Sequence, residues 1–386
     1  MRNCDSEKIL SLFKNKRTYY ENKIKKIFPD VKIITAKNQG VIIYPAGRKT
    51  EALIESLTKN GIKIIAIGDS NSNLWGKKIG QFQIFSPTHL AEKHSNSPII
   101  VSSTEYRKEI TDSLKKIGFK TIFHISFLNF IDPNIFPVFP EYHQKFYSLF
   151  DPFNQADIIK LNALWGDAES RKSFLKILKF RLSFNDVVLN ERKFSNQQYF
   201  ESKIIFFSKE EVFIDCGAYK GDTIEQFNLI TLAKFKKIYA FEPDRSNFDK
   251  LCKKCQEISA AKIECQPSGV YSSIGKVNFM ETGDAIARIV DNDQSFSVNV
   301  ISLDDFMKNK EVPTFIKMDI EGAETEAILG AKKIIKKYKP KLAISVYHNA
   351  IDLWEIPLLI KNLNNDYKIY LRHYSNEVMD TVCYAV

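Results

Sequence analysis

The chain has 386 residues, which at about 150 residues per domain indicates two domains with connecting structure. Hydrophobic residues make up 44% and aromatic residues 12%, which excludes a disordered polymer. Lys and Arg outnumber Asp and Glu by 56 to 46, and the net charge of +10 raises nucleic acid or a membrane surface as partners. No run approaches about 18 apolar residues, so a transmembrane helix is excluded.

The amino terminus and the cysteines favour a reducing cytoplasm. Residues 1–26 are charged and broken up where a signal peptide needs an unbroken apolar core, so we do not expect export by that route. The six cysteines are scattered and make no disulfide framework. Cys252 and Cys255 have metal-ligand spacing, but a closed zinc site needs four ligands and no second such pair exists. We therefore predict an ordinary helical pair and no metal site.

Apolar runs alternate with helical patterns over residues 40–125. Strands are predicted at 40–44, 62–67, 98–101 and near 121, and helices at 50–59, 88–93 and 103–117. This alternation predicts a parallel sheet covered on both faces, as in a small Rossmann-like α/β domain. Gly47 and Asp69 follow the first two strands, as the glycine turn and the acidic residue do in a nucleotide site. Such a turn normally has three glycines, and here there is one. A turn glycine and a loop aspartate are the favoured explanation of the pair.

The predicted domain limits are 1–125 for this amino-terminal domain, 126–205 for a connector and 206–386 for a second domain. Residues 126–150 are rich in Phe, Pro and Tyr, which indicates a passage between domains. Apolar residues then recur at helical spacing over residues 156–184, so we expect a helical connector that packs on the next domain. Residues 211–386 hold 23 Lys and Arg against 25 Asp and Glu, so the positive excess, +12, belongs to residues 1–210.

Residues 212–386 repeat the alternation of strands and helices. Strands are predicted at 212–215, 238–241, 263–265, 315–319, 342–346, 367–371 and 381–386, helices at 222–233, 245–258, 322–337 and 351–363, and short β pieces at 269–300. Seven strands ending in a hairpin fit a doubly wound α/β sheet closed by an antiparallel strand.

A glycine turn joins the first strand of this domain to its first helix, between Asp215 and Asp222. Glycines let the backbone approach a ligand closely, and the helix start offers unpaired N–H groups. Glu242 ends the next strand, where a carboxylate can accept hydrogen bonds from both ribose hydroxyls of a nucleoside. The spacing therefore predicts an adenosine site.

Two kinds of cofactor share this geometry. A dinucleotide seats its pyrophosphate on a G-x-G-x-x-G helix start, where negative charge is favoured. Here the segment is G-A-Y-K-G-D, which ends in Asp222 and is preceded by Asp215 two residues before its first glycine. Two carboxylates repel a pyrophosphate but suit the ammonium and sulfonium groups of S-adenosylmethionine. The residues favour the methyl donor, and a tight turn in which Asp222 only caps a helix accounts for Asp222 alone.

Residues 155–386 resemble the FkbM family of S-adenosylmethionine-dependent methyltransferases. The most specific motif is K-M-D-I-E-G-A-E at residues 317–324. Further motifs are Q-Y-F at 198–200, F-I-D-C-G-A-Y-K-G-D-T at 213–223, Y-A-F-E-P-D at 239–244 and V-Y-H at 346–348. The resemblance implies a Rossmann-like class I fold and methyl transfer to a hydroxyl, commonly of a saccharide or polyketide-like acceptor.

The resemblance also implies which residues contact each ligand. Ser268 and Gly269 would lie by the adenine, and Asp319 would face the cleft in which donor and acceptor meet. The residues expected at the methyl donor are Asp215, Gly217, Ala218, Tyr219, Gly221, Asp222, Thr223, Glu242, Pro243, Ser268, Gly269 and Asp319. Those expected at the acceptor are Lys317, Glu321, Glu324 and Tyr347.

Methyl transfer to a hydroxyl needs an aligned acceptor oxygen and a group that removes its proton. His348 fits this base role by its pKa, because imidazole is largely neutral at pH 7, and Asp319 fits it by position. Each has a simpler explanation, since His348 could be a core histidine and Asp319 a structural carboxylate. Glu324 could likewise serve the start of a helix.

The sequence thus predicts an O-methyltransferase acting on a sugar hydroxyl of a bacterial surface glycan or its nucleotide-linked precursor. A nucleic-acid-modifying methyltransferase and a non-catalytic nucleotide-binding scaffold are the alternatives. We interpret the +12 of residues 1–210 as an attraction for an anionic acceptor and expect no nucleic-acid partner, since no RNA-binding signature appears. Peripheral contact with a membrane and self-association are left open.

Overall fold

The computed structural model describes residues 40–47, 50–103, 106–124, 152–183, 197–259, 261–280, 288–289, 296–375 and 379–386, with residues 7, 9 and 11. The chain divides into two compact units. The amino-terminal unit comprises Glu7–Tyr147 and Leu182–Phe184, and the carboxyl-terminal unit comprises Met1–Ser6, Ser148–Arg181 and Asn185–Val386. Of the helices that these residues form, none has the length and apolarity to span a membrane. The predicted linker at 126–150 lies outside the described residues.

The amino-terminal unit contains a six-stranded sheet with the order β3-β4-β2-β1-β5-β6. β3 pairs antiparallel with β4, and the other pairings are parallel. The strands are β1 Val41–Tyr44, β2 Ile64–Gly68, β3 Lys78–Ile79, β4 Phe82–Phe85, β5 Ile99–Val101 and β6 Ile122–His124, and the helices are α1 Thr50–Lys59, α2 Pro87–His94 and α3 Arg107–Lys116.

Alternate residues of β1 enter two separate cores. Val41 and Ile43 pack in one cluster with α1, whereas Ile42 and Tyr44 pack in another with Leu90 of α2. Both faces of the sheet are therefore covered, which confirms the predicted α/β class. The sequence prediction missed β3 and β4, because two residues and four residues are too short to show a periodic apolar pattern.

The carboxyl-terminal unit contains a seven-stranded sheet with the order β16-β17-β15-β14-β7-β8-β9. β17 is antiparallel to both of its neighbours, and the other pairings are parallel. Its strands are β7 Val212–Cys216, β8 Lys237–Phe241, β9 Ile263–Gln266, β14 Phe315–Met318, β15 Lys341–Ser345, β16 Ile369–His373 and β17 Thr381–Ala385. The predicted doubly wound sheet closed by an antiparallel strand is confirmed.

Helices and a small sheet complete this unit. The helices are α4 Pro152–Leu164, α5 Ala168–Ser183, α6 Asp222–Ile230, α7 Arg245–Ser259, α8 Leu303–Phe306, α9 Glu324–Gly330, α10 Lys332–Tyr338 and α11 Asp352–Leu363. The short β pieces form a second, four-stranded sheet from β10 Gly269–Val270, β11 Gly275–Met280, β12 Arg288–Ile289 and β13 Phe296–Ile301. Buried Arg372 of β16 donates to Asp167 at 2.6 Å and ties the α4–α5 pair to the sheet.

Two predicted helices end or break earlier than the sequence pattern indicates. α6 stops at Ile230 because Leu232 and Ala233 take positive φ angles of 52° and 58°. The predicted helix at 322–337 is two helices, α9 and α10, that meet at Ala331. Gly330 ends the first, and a Cβ there would lie 2.0 Å from the carbonyl oxygen of Tyr271, so the close packing admits only glycine.

The sheet order places β7 beside β14 and directs the crossover connections to opposite sides of that pair. Asp215 and Lys317 occupy paired positions in these neighbouring parallel strands. A ligand of an open α/β sheet binds at the carboxyl ends of the strands where the order reverses. The loops after β7, β8, β14 and β15 are therefore where a functional site is expected.

Candidate active site

The turn after β7 is shaped by close contact with the loop after β14. Gly217 has a φ of 76°, and a Cβ there would lie 1.9 Å from the carbonyl oxygen of Asp319. The N–H groups of Gly217 and Ala218 both donate to the carbonyl oxygen of Phe241, at 3.0 and 2.9 Å. Gly221, with a φ of 87°, is the N-cap residue that precedes α6. Glycine is thus required where the two loops touch.

A buried ion pair lies beneath this turn. Asp215 and Lys317 are 0% and 2% exposed, and Lys317 Nζ lies 3.0 Å from Asp215 Oδ1. Lys317 Nζ also donates to the carbonyl oxygen of Gly217 at 2.7 Å. Burial raises the pKa of Asp215 to about 6 against the opposing effect of Lys317. Oδ2 accepts no hydrogen bond from the part of the chain that the structure describes, so it is available to a cationic group of a ligand.

Glu242 lies at the other side of the turn, at the end of β8. Its Oε2 accepts the N–H of Tyr219 and its Oε1 accepts the N–H of Asp244, both at 2.9 Å. Burial raises the pKa of this carboxyl to about 7, although the two N–H groups oppose the shift. Each oxygen of the carboxylate keeps a second lone pair, and two adjacent acceptors match a pair of ribose hydroxyls.

The remaining residues predicted at the methyl donor surround these two carboxylates. Gly269 begins β10 beside Pro243, since a Cβ at Gly269 would lie 4.0 Å from the Cβ of Pro243. Ser268 is half-buried next to it, and Thr223 is buried in the first turn of α6. Asp222 is exposed at the start of that helix. The structure therefore brings Gly269 and Pro243 to the Glu242 end of the turn.

Asp319 follows β14, and its side chain is 25% exposed. Tyr199 donates its hydroxyl to Oδ2 and Tyr347 donates its hydroxyl to Oδ1, each at 2.9 Å. Burial opposes ionisation, but the charges of His348 and Lys317 and the hydroxyl groups lower the pKa of Asp319 below its ordinary value. Asp319 is therefore a carboxylate at neutral pH, held in place through both oxygens.

His348 follows β15 and is surrounded by carboxylates. Its Nδ1 lies 2.8 Å from Glu324 Oε1, and its Nε2 lies 3.3 Å from Glu321 Oε2 and 3.5 Å from Asp319 Oδ1. Burial lowers the pKa of the imidazole, but these three carboxylates outweigh it and raise the pKa to about 10. The sequence argument for His348 as a base assumed a neutral ring, and the structure contradicts that assumption. Of the two candidate bases, Asp319 is the one whose charge state fits the role.

The four residues predicted at the acceptor divide into two groups. Lys317 and Glu324 are 2% and 0% exposed, so their burial excludes direct contact with a substrate in this conformation. Glu324 instead accepts the N–H groups of Ile320 and Gly322, at 2.8 and 3.0 Å, and holds the loop after β14. Tyr347 is also buried and acts through Asp319, whereas Glu321 reaches the surface.

Tyr199 is a site residue that the sequence analysis did not assign. It is buried, with a φ of 68°, and its ring lies 5.1 Å from Lys317 Nζ. Its hydroxyl reaches Asp319, and its N–H donates to the hydroxyl of Tyr384 at 3.0 Å. The Q-Y-F motif at 198–200 was the available signal, but a contact over 120 residues of sequence is not readable from a motif.

In the amino-terminal unit, Asp69 serves its own loops. Its Oδ2 accepts the N–H of Ala46 at 2.9 Å, and its Oδ1 accepts the N–H of Asn71 at 2.7 Å. The N–H of Gly47 donates to Thr50 Oγ1 at 2.8 Å. The contacts of Gly47 and Asp69 thus fit the structural explanation of the pair, a turn glycine and a loop aspartate.

Comparison with protein families gives two matches. Residues 215–375 match the model of the methyltransferase FkbM domain, and residues 36–122 match that of the C2185-like, N-terminal domain. No curated protein matches the chain.

A solved structure with a similar fold aligns with the whole chain, and others align with about half of it. The methyltransferase FkbM from Methylobacillus flagellatus KT is 22% identical, with a TM-score of 0.75 and 100% of both chains covered. An rRNA methylase from Streptococcus thermophilus is 14% identical, with a TM-score of 0.30, over 46% of this chain and 86% of that chain. A putative methyltransferase from Streptococcus mutans in complex with SAH is 14% identical, with a TM-score of 0.29, over 48% of this chain and 93% of that chain.

The FkbM match runs from Asp215 through Glu242 and Asp319 to beyond His348, and so spans the site described above apart from Tyr199. The predicted resemblance is confirmed. Residues 215–375 of this chain are a methyltransferase domain of the FkbM family.

Proposed function

We propose that the chain transfers the methyl group of S-adenosylmethionine to a hydroxyl of a saccharide, in a bacterial surface glycan or its nucleotide-linked precursor. The observation that carries the proposal is the pair of buried carboxylates on either side of the glycine turn. Asp215 has an oxygen without a hydrogen bond from the described residues, and Glu242 has two oriented oxygens with spare lone pairs. The first suits an ammonium group and the second a ribose.

These residues fit the methyl donor in order along the edge of the sheet. Asp215 and the turn from Gly217 to Gly221 would hold its methionine part, Glu242 its ribose, and Pro243 with Gly269 its adenine. Lys317 would contribute to donor binding indirectly, because it forms an ion pair with Asp215 and donates a hydrogen bond to the carbonyl oxygen of Gly217. When bound, S-adenosylmethionine supplies a methyl group on a positively charged sulfur, which is already a strong electrophile.

Asp319 has the position and charge of the proton acceptor. As the new C–O bond forms and the C–S bond breaks, the acceptor oxygen gains positive charge and its proton becomes strongly acidic. A carboxylate with a lowered pKa is then a sufficient base, and Asp319 takes that proton. Tyr199 and Tyr347 keep the two oxygens of Asp319 oriented during the transfer.

The charges of the site support a neutral reacting group on the acceptor. Glu321, Glu324 and Asp319 gather within 3.5 Å of one imidazole, so an anionic group placed beside Asp319 would be repelled. A sugar hydroxyl meets this requirement. The excess of +12 in residues 1–210 favours an acceptor that carries its negative charge elsewhere, such as a nucleotide or phosphate.

Two measurements test the proposal. Calorimetric titration with S-adenosylhomocysteine should show one site per chain, and no binding to a folded sample would contradict the methyl-donor assignment. Isotopically labelled methyl donor should then be offered with sugars, nucleotide sugars and cell-surface polysaccharide. Label in a non-carbohydrate acceptor and none in these three classes would overturn the saccharide assignment.

The base is tested by Asp319→Asn, which keeps the size of the side chain but removes its charge. This variant should lose turnover by at least about 100-fold, the usual scale of general base catalysis, while it retains affinity for S-adenosylhomocysteine. Asp366→Asn, at an exposed position after α11, is the matched control and should keep both properties. Unchanged turnover in Asp319→Asn would remove this residue from the base role.

A further inference from the structure

Three side chains beside the proposed acceptor position form a set of potential metal ligands. Asp319, Glu324 and His348 each offer one ligand atom, and these atoms all lie within 4.8 Å of one another. Asp319 and His348 follow the neighbouring parallel strands β14 and β15, and Glu324 begins α9 between them. The carboxyl ends of adjacent parallel strands meet at one edge of a sheet, which is why residues far apart in sequence converge here.

His348 supplies an observation independent of the acidic residues. Its side chain is 7% exposed, and neither ring nitrogen makes a hydrogen bond of acceptable geometry with any residue that the structure describes. Buried polar atoms are nearly always hydrogen-bonded, so an imidazole directed at carboxylates without such bonds requires an explanation. Imidazole nitrogen is the commonest metal ligand in proteins, and a bound cation would satisfy it.

The two carboxylates are already oriented by other groups. Asp319 receives the hydroxyls of Tyr199 and Tyr347, and Glu324 receives the backbone N–H groups of Ile320 and Gly322. Each oxygen keeps a lone pair for a further contact. Hydrogen bonds from outside a metal site orient its ligands and are characteristic of sites built for a metal.

The distances suit a small divalent cation. Ligand atoms about 2.1 Å from a metal stand about 3.0–3.4 Å apart in octahedral or tetrahedral arrangement. One ligand atom from each of the three residues lies within 4.8 Å of the others, a spread that small side-chain movements onto a single ion would close. A set with one imidazole and two carboxylates suits Mn²⁺ or Fe²⁺ rather than Ca²⁺, which prefers oxygen alone.

We propose that Asp319, Glu324 and His348 bind one divalent first-row transition-metal ion at the acceptor end of the site. The ion would balance the carboxylates around His348, including Glu321. Its role in catalysis rests on the proposed function, because a metal beside Asp319 would bind the acceptor hydroxyl, orient it and make it more acidic. The binding itself requires neither methyl donor nor acceptor.

Mn²⁺ titration followed by electron paramagnetic resonance tests the site directly. The full chain, stripped with a chelator, should bind one Mn²⁺ per chain in the absence of donor and acceptor. His348→Gln and Glu324→Gln should each weaken this binding by at least about tenfold. Glu326→Gln, which lies on α9 outside the ligand set, is the matched control and should bind as the wild type does.

Folding of each variant is checked by thermal melting. Should either variant fail to fold, Co²⁺ binding to the wild type serves instead, and visible absorption bands shifted by nitrogen coordination are expected. Absence of stoichiometric Mn²⁺ binding to the folded wild type, or unchanged binding in both variants, would overturn the proposal and leave a protonated His348 as the balancing charge. S-adenosylhomocysteine affinity measured without metal tests the methyltransferase assignment separately.

Discussion

If Glu242 holds the ribose as proposed, its ionisation should make binding of the methyl donor depend on pH near neutrality. The residue is 7% exposed, and burial raises the pKa of its carboxyl group to about 7. The ionised form has lone pairs on both oxygens that can accept hydrogen bonds from the two ribose hydroxyls. Once protonated, one oxygen becomes a hydrogen-bond donor and faces a hydroxyl that is itself a donor. Protons therefore compete with the methyl donor, and its affinity should fall as the pH is lowered.

The size of this effect follows from the two buried carboxyls. With a pKa of about 7, roughly nine-tenths of Glu242 is ionised at pH 8 and roughly one-tenth at pH 6, so affinity falls about tenfold. Asp215, with a pKa of about 6, is about half ionised at pH 6 and adds a factor of about two. The Kd for S-adenosylhomocysteine should thus rise about 20-fold between pH 8 and pH 6, or about 1.8 kcal/mol.

Calorimetric titration at pH 8, 7 and 6 measures this dependence. Glu242→Gln should bind more weakly at pH 8 and should retain only the roughly twofold change that Asp215 contributes. Glu257→Gln, exposed on α7, is the control and should keep the full wild-type dependence. A wild-type Kd that is the same at pH 6 and pH 8 would refute the assignment of Glu242 as an ionised ribose ligand, and so would an undiminished dependence in Glu242→Gln.

Three further predictions follow from the packing and the charge distribution. Gly217→Ala should lower the free energy of unfolding by about 2–6 kcal/mol, because the added Cβ strains the backbone and overpacks against Asp319. The control Gly275→Ala has open space around the new Cβ, so its melting temperature should change little. Tyr199→Phe should reduce turnover by roughly 10–100-fold, because it removes one hydrogen bond to a charged group, and should leave the affinity for S-adenosylhomocysteine unchanged. If turnover and this affinity fell equally, Tyr199 would have a structural role only. Replacing the exposed cluster Lys115, Lys116 and Lys120 with Gln should raise the KM for an anionic acceptor and leave donor affinity unchanged, and an unaltered KM would contradict the electrostatic role of that cluster.

The sequence by itself predicted the architecture of the carboxyl-terminal unit and the residues on the proposed donor side of its site. Strand and helix periodicities are local, so seven strands and their order of helices were readable without contacts. The glycine turn from Gly217 to Gly221 and the acidic residue Glu242 also act through local geometry, since each ends a strand at the same edge of the sheet.

Only the tertiary structure decided the charge states and contacts on the proposed acceptor side. His348 is an ordinary imidazole until Asp319, Glu321 and Glu324 surround it, and only their distances show that its pKa rises to about 10. Charge state and burial depend on groups that fold together from distant parts of the chain, and no local pattern encodes the field at a side chain. The assignment of Asp319 as the base, and the role of Tyr199 in holding it, rest on those long-range contacts.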